Sequence, residues 1–172
     1  MTKIKKLNCL NALDLKLLAM FFMLLDHMWA TVIPGSQWLT NVGRLAFPIF
    51  AFQIAEGYFK THSYKKYLTR MLVFALISEI PFNLMHGGVL FPYAQNVMFT
   101  FVLSLLALRL LDWAREKGRW AFWAALPLVM LGFTILGFLT MVDYFGFGVL
   151  MVIVFYLAVF TRLRGIAVTY LY

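Results

Sequence analysis

The sequence has a single cysteine, Cys9, and only seven acidic residues among its 172. One cysteine excludes an internal disulfide and any metal centre built on cysteines. Charged residues make up 13% of the chain, against about 25% in soluble domains, which excludes an ordinary soluble fold. The chain also lacks an internal repeat and a low-complexity linker. The first apolar run lacks a small-residue cleavage site and is too long for a signal peptide, so it reads as a retained span. The absence of a clear inverted repeat disfavours a transporter.

What is present is apolar. Hydrophobic residues make up 63% of the chain, and the mean hydropathy is +0.85. Six segments match the ~17–25 residues that cross a bilayer: 15–33, 40–59, 67–85, 96–113, 120–139 and 144–160. Pro34-Gly35-Ser36 separates the first from the second, and His86-Gly87-Gly88 the third from the fourth. Arg162-Leu163-Arg164-Gly165 is expected to end the sixth, leaving the apolar but short stretch from Ile166 to Tyr172. The fold class predicted is all-α, a polytopic membrane helical bundle of about six transmembrane helices, forming one domain over residues 1–172.

The net charge of +8 would suggest nucleic acid in a soluble protein. Here it reads as topology, and no nucleic-acid partner is expected. Lys3, Lys5, Lys6 and Lys16 flank the start of the first span, and Lys60, Lys65, Lys66 and Arg70 surround the second loop. Arg109, Arg115, Lys117 and Arg119 surround the fourth loop, and Arg162 and Arg164 follow the sixth span. The alternate loops carry no Lys or Arg apart from Arg44 at a helix mouth, so the N-terminus is expected in the cytoplasm.

Against this background Asp26 and His27 stand out inside the first span, and Arg44 near the start of the second. A charge at a span's centre costs about 2.5–3.5 kcal/mol on insertion scales, and such residues commonly line a pathway or do chemistry. At about 1.5 Å per residue, His27, Arg44 and Glu79 reach similar depths, with Asn83, Asn96 and Asp143 near the outer helix ends. His27 and Arg44 are therefore expected to face a polar cavity with Asp26, Glu79 or Asn83 nearby. Glu56 falls near the cytoplasmic end instead. Lys16 and His27 are eleven residues apart, close to three full helical turns, so they share one face.

These types suit acyl transfer. Histidine titrates near neutrality and can take a proton from an amine or hydroxyl. Arg44 can stabilise charge developing on a thioester oxygen. Lys16, Lys60, Lys65 and Lys66 can hold coenzyme A phosphates. Pro48 and Pro81 free backbone groups that must be satisfied inside protein or a cavity. Plainer readings stand beside these. His27 can donate to a neighbouring carbonyl, Asp26 and Arg44 can form a structural ion pair, and the lysines can serve topology alone. Glu56 and Glu79 divide between structural and functional roles.

The segments Lys16 to His27, Gly43-Arg44-Leu-Ala-Phe47-Pro48-Ile-Phe50-Ala-Phe52, Glu79-Ile-Pro81-Phe82-Asn83-Leu84 and Asn96-Val-Met-Phe99-Thr100 together resemble the TraX family, named for the acetylase of conjugative pilin. That family is similar to the acyltransferase-3 group of membrane acyltransferases. In that group a basic residue followed, after ten others, by histidine marks the active site, and Lys16 and His27 match it. The resemblance covers roughly residues 13 to 105. It implies a multi-pass protein of the bacterial cytoplasmic (inner) membrane, with acetyl-CoA or another acyl-CoA as donor and no metal. The acceptor implied is an amine or hydroxyl on a pilin N-terminus, a peptide or a carbohydrate. His27, Arg44 and Asp26 become the catalytic candidates, and further C-terminal helices are expected. No covalent enzyme intermediate is needed, and Cys9 is poorly placed to form one. Two other classes compete: a small transporter or proton/anion pathway protein using buried Asp, His and Arg, and a non-catalytic assembly subunit.

Overall fold

The computed structural model describes residues 11–86, 88 and 93–169, with side chains as far as residue 161. Lys3, Lys5, Lys6 and Cys9 lie outside the described residues, as do the side chains of Arg162 and Arg164 and the last three residues of the apolar C-terminal stretch. The protein is all-α, with seven helices among the described residues: α1 (Ala12–Thr31), α2 (Gln37–Gly43), α3 (Ala46–Lys60), α4 (Tyr64–Met85), α5 (Val97–Glu116), α6 (Arg119–Leu139) and α7 (Phe145–Thr169). Helices α4, α5 and α6 are each long and apolar enough to cross a membrane. The described residues up to Gln53 form one compact unit and the described residues from Ile54 another.

In the first unit, α1 begins with reciprocal caps. Asn11 Oδ1 accepts from the backbone N–H of Leu13 and Asp14, at 2.8 and 3.0 Å, and Asp14 Oδ2 accepts from the Asn11 N–H at 2.8 Å. Four otherwise orphaned N–H groups begin every helix, and this box satisfies those it can reach. The helix then runs unbroken past His27. A turn at Pro34-Gly35, with Gly35 at φ +101°, leads into α2.

The second expected span, 40–59, is two helices rather than one. Pro48 is the cause. It has no N–H to donate to the carbonyl of Arg44, four residues back, and its ring would collide with that carbonyl. The chain therefore stops at Gly43, turns through Arg44 and Leu45, and restarts at Ala46, placing Pro48 in a first turn, where proline is tolerated.

In the second unit α5 is central. It packs against α4, α6 and α7, and half of its span is buried, whereas α4 and α6 turn most of their surface outward. Leu105, Leu108 and Leu111 of α5 and Val149, Val152, Ile153 and Tyr156 of α7 are fully buried. Helices α6 and α7 meet at backbone distance. A Cβ on Gly146 would collide with the backbone of Thr134, so only glycine fits. The turn between them holds Met141, Tyr144 and Phe145 at positive φ (52°, 60° and 47°). It is pinned by a parallel bridge between Gln95 and Val142 and by Thr100 Oγ1 donating to the Asp143 carbonyl at 2.5 Å. Helix α7 does not stop at Arg162-Leu163-Arg164-Gly165 but continues to Thr169. A single interior glycine costs only about 1 kcal/mol, too little to end a helix whose other residues favour it.

Candidate functional site

The candidate residues of the first unit gather where α1 crosses α2. Thr40 Oγ1, buried in α2, donates to Asp26 Oδ1 at 2.7 Å. One turn further on, Gly43 lies against the same residue. A Cβ there would stand 2.7 Å from both Cβ and backbone N of Asp26. The absent side chain lets the helices approach closely enough for the hydroxyl–carboxylate bond. Asp26 is thus partly buried and oriented by a neighbouring helix. The Asp26–Arg44 ion pair is not formed: Arg44 caps α2 with an exposed side chain, and among the described residues it has no ion pair.

His27 is half-buried on the helix position after Asp26, and its ring has no hydrogen-bond partner among the described residues. Its backbone carbonyl accepts from Thr31 Oγ1 at 2.7 Å. The Trp29 indole Nε1 in the next half-turn is likewise buried without an acceptor. Because α1 is uninterrupted, Lys16 shares the His27 face about 16 Å away. Lys16 is exposed. The crossing therefore places a partnered carboxylate, an unpartnered imidazole and an exposed guanidinium within a few residues of one contact point.

The other candidates belong to the second unit. Glu79 and Asn96 join α4 to the start of α5. Asn96 Nδ2 donates to Glu79 Oε2 at 2.6 Å and to the Ala75 carbonyl at 2.8 Å, while Asn96 Oδ1 caps α5 by accepting from the Met98 N–H at 3.0 Å. Asn96 is only 4% exposed, so these bonds lie inside the α4–α5 contact. Asn83 is buried, and its backbone carbonyl accepts from the N–H groups of His86 and Gly88, closing the end of α4. Glu56 is paired with Lys60 at 2.9 Å, one helical turn apart. Lys65 and Lys66 are exposed in the first turn of α4.

Sequence reasoning missed a polar cluster that joins three helices. Asp112 of α5 accepts from Tyr58 at 2.7 Å on one oxygen, and from Tyr156 at 2.8 Å and Arg115 at 2.7 Å on the other. Tyr156 is fully buried and stacks on Phe59. The carboxylate links α3, α5 and α7. The available signal was an acid within an apolar helix, but Asp112 stands among Arg109, Arg115, Lys117 and Arg119, whose charges mark a basic loop. Truncation leaves two phenols and a guanidinium without their acceptor. Asp112→Ala should therefore destabilise the protein by about 3 kcal/mol, the scale for breaking a buried pair. Asp112→Asn, which keeps one carbonyl oxygen, should lose less. Thermal unfolding of the purified variants in detergent checks the order, and an Ala variant as stable as the parent would show the cluster to be dispensable.

Residues 12–171 match the family described as TraX protein. A protein of Dichelobacter nodosus described as probable fimbrial assembly protein FimC, serogroup H1, is 36% identical over 110 residues, covering 57% of this chain and 45% of that protein. The chain thus spans less than half the length of this relative. No solved structure matches this chain.

Proposed function

The chain belongs to the TraX family, and from that premise we propose that it is a membrane-embedded acyltransferase serving the assembly or modification of a surface fibre. In this reading acyl-CoA, most simply acetyl-CoA, is the donor, and a pilin N-terminus, peptide or carbohydrate supplies the amine or hydroxyl. The protein sits in the bacterial inner membrane with its N-terminus in the cytoplasm, as the alternation of basic loops predicts. The kinship to the acyltransferase-3 group and the pilin-related role both belong to this proposal. The name of the Dichelobacter nodosus relative, a fimbrial assembly protein, supports the latter.

The observation that carries the reading is the α1–α2 crossing. His27 presents an imidazole with no hydrogen-bond partner among the described residues, beside a carboxylate fixed by Thr40 and Gly43. A base that must accept a substrate proton needs such a free nitrogen. The attacking amine or hydroxyl loses its proton to His27 as its heteroatom bonds the thioester carbon. Arg44, exposed and without an ion pair among the described residues, stabilises the negative charge that develops on the carbonyl oxygen. The tetrahedral intermediate then collapses, the carbon–sulfur bond breaks, and coenzyme A leaves as thiolate or, protonated by the imidazolium, as thiol. Asp26 positions α1 rather than touching the reacting atoms. Lys16 meets the coenzyme A phosphates at the donor end, while Lys60, in the other unit, is partly neutralised by Glu56.

The direct test is acetyl transfer. Membranes from cells carrying or lacking the intact gene are supplied with isotopically labelled acetyl-CoA, and surface material is analysed by mass spectrometry. Label that appears only with the gene supports the enzyme. Fibres that fail to assemble without the gene, yet carry no acyl group when it is present, point instead to the assembly subunit. At the donor end, Lys16→Ala should raise the KM for acyl-CoA by about tenfold, the scale of one charge-assisted contact, with kcat little changed. An unchanged KM leaves Lys16 with a topological role only.

A further inference from the structure

The turn that joins α5 to α6 is two residues long, Lys117-Gly118, with Gly118 at φ +130°. Both helices are long and apolar enough to cross a membrane, so this tight end must lie at a membrane surface. Its side chains match that place. Trp120 is 87% exposed, and Trp113 and Trp123 are more than half exposed. Tryptophan favours the headgroup level, where its apolar ring and its N–H are both satisfied. The Lys117 ammonium sits 3.6 Å above the Trp113 ring, and Arg119 is exposed beside it.

The acids nearby do not offset these cations equally. Asp112 is turned inward onto Tyr58, Tyr156 and Arg115. Only Glu116 remains at the surface, 3.7 Å from Arg109. The outward face is therefore left cationic, framed by indoles, at headgroup depth. We propose that this hairpin end is a docking surface for anionic phospholipid headgroups, with Lys117 and Arg119 meeting the phosphate and Trp113 and Trp120 flanking it. The inference is independent of the acyl-transfer reading, since none of these residues takes part in it.

The test uses the full chain reconstituted in phosphatidylcholine vesicles with a trace of spin-labelled phosphatidylglycerol or spin-labelled phosphatidylcholine. Electron paramagnetic resonance reads the fraction of each lipid held at the protein. Phosphatidylglycerol should be preferred at low salt, and the preference should fade in 1 M salt, where screening acts over about 3 Å. Lys117→Gln with Arg119→Gln should bring the preference close to unity, a fall of about five-fold or more for two surface cations. The same change at Lys65 and Lys66 should leave most of it in place. Circular dichroism in the same vesicles separates lost binding from lost fold, and the single Lys117→Gln variant serves if the double variant does not fold. Four results overturn the proposal: no preference for phosphatidylglycerol, a preference that survives the double variant, one that Lys65→Gln with Lys66→Gln abolishes equally, or one that millimolar glycerol phosphate abolishes, which would mark a site for free phosphate.

Discussion

His27→Ala should lower the rate of acyl transfer by about 10²- to 10⁴-fold, the usual worth of a positioned general base. The protein should fold as before, because the ring is half-buried and holds no hydrogen bond that the fold requires among the described residues. Acyl-CoA binding should be nearly unchanged, so the loss falls on kcat. Arg44→Lys should also be severely impaired. A compact ammonium does not reproduce the planar, multi-donor guanidinium, although it keeps the charge. Single-turnover transfer with saturating acyl-CoA measures both. A well-folded His27→Ala protein working at the parental rate would remove His27 as the base.

Gly43→Ala should be nearly as harmful, for a steric reason. The added methyl would stand 2.7 Å from the Cβ and backbone N of Asp26, and backbone cannot swing aside as a flexible side chain can. The helices must part, which costs about 1–3 kcal/mol as overpacking does. The parting stretches the Thr40–Asp26 bond and moves His27 with its helix. A displacement near 1 Å can cost about 100-fold in rate. Thr40→Val supplies the comparison, since it removes the hydroxyl while nearly preserving shape. That loss should be about 1 kcal/mol of stability, with a smaller effect on rate than Gly43→Ala. Equal stability and activity in Gly43→Ala and the parent protein would show that the crossing is not under the constraint its geometry implies.

The helical class of the protein was legible in its composition. The departures have definite causes. The segment 40–59 is apolar throughout, and hydropathy alone cannot register a break made by a missing N–H; Pro48 carried that information, but as a backbone effect on Arg44. Asp26 was conspicuous because a carboxylate is rare in a span. Its partner was not, since threonine is unremarkable in an apolar helix and the contact exists only because Gly43 removes a side chain from between them. Glu79 and Asn96 were visible as polar residues, yet their mutual bond and the capping of α5 depend on how a loop returns. Asp112 was hidden differently. Its neighbours in sequence are cations at a loop, whereas its neighbours in space are phenols from helices 54 residues before and 44 residues after it.

That separation has a consequence for biosynthesis. At about 5–20 residues per second, the ribosome delivers Tyr156 roughly 2–9 s after Asp112, while Tyr58 is already made. During that interval α5 offers the translocon a helix with a carboxylate whose partners are Arg115, three residues on, and one phenol rather than two. The final seating of α5 is therefore a late event, completed from the C-terminal side when α7 emerges. A nascent chain halted between Leu139 and Tyr156 should still hold Asp112 at the lipid–water boundary.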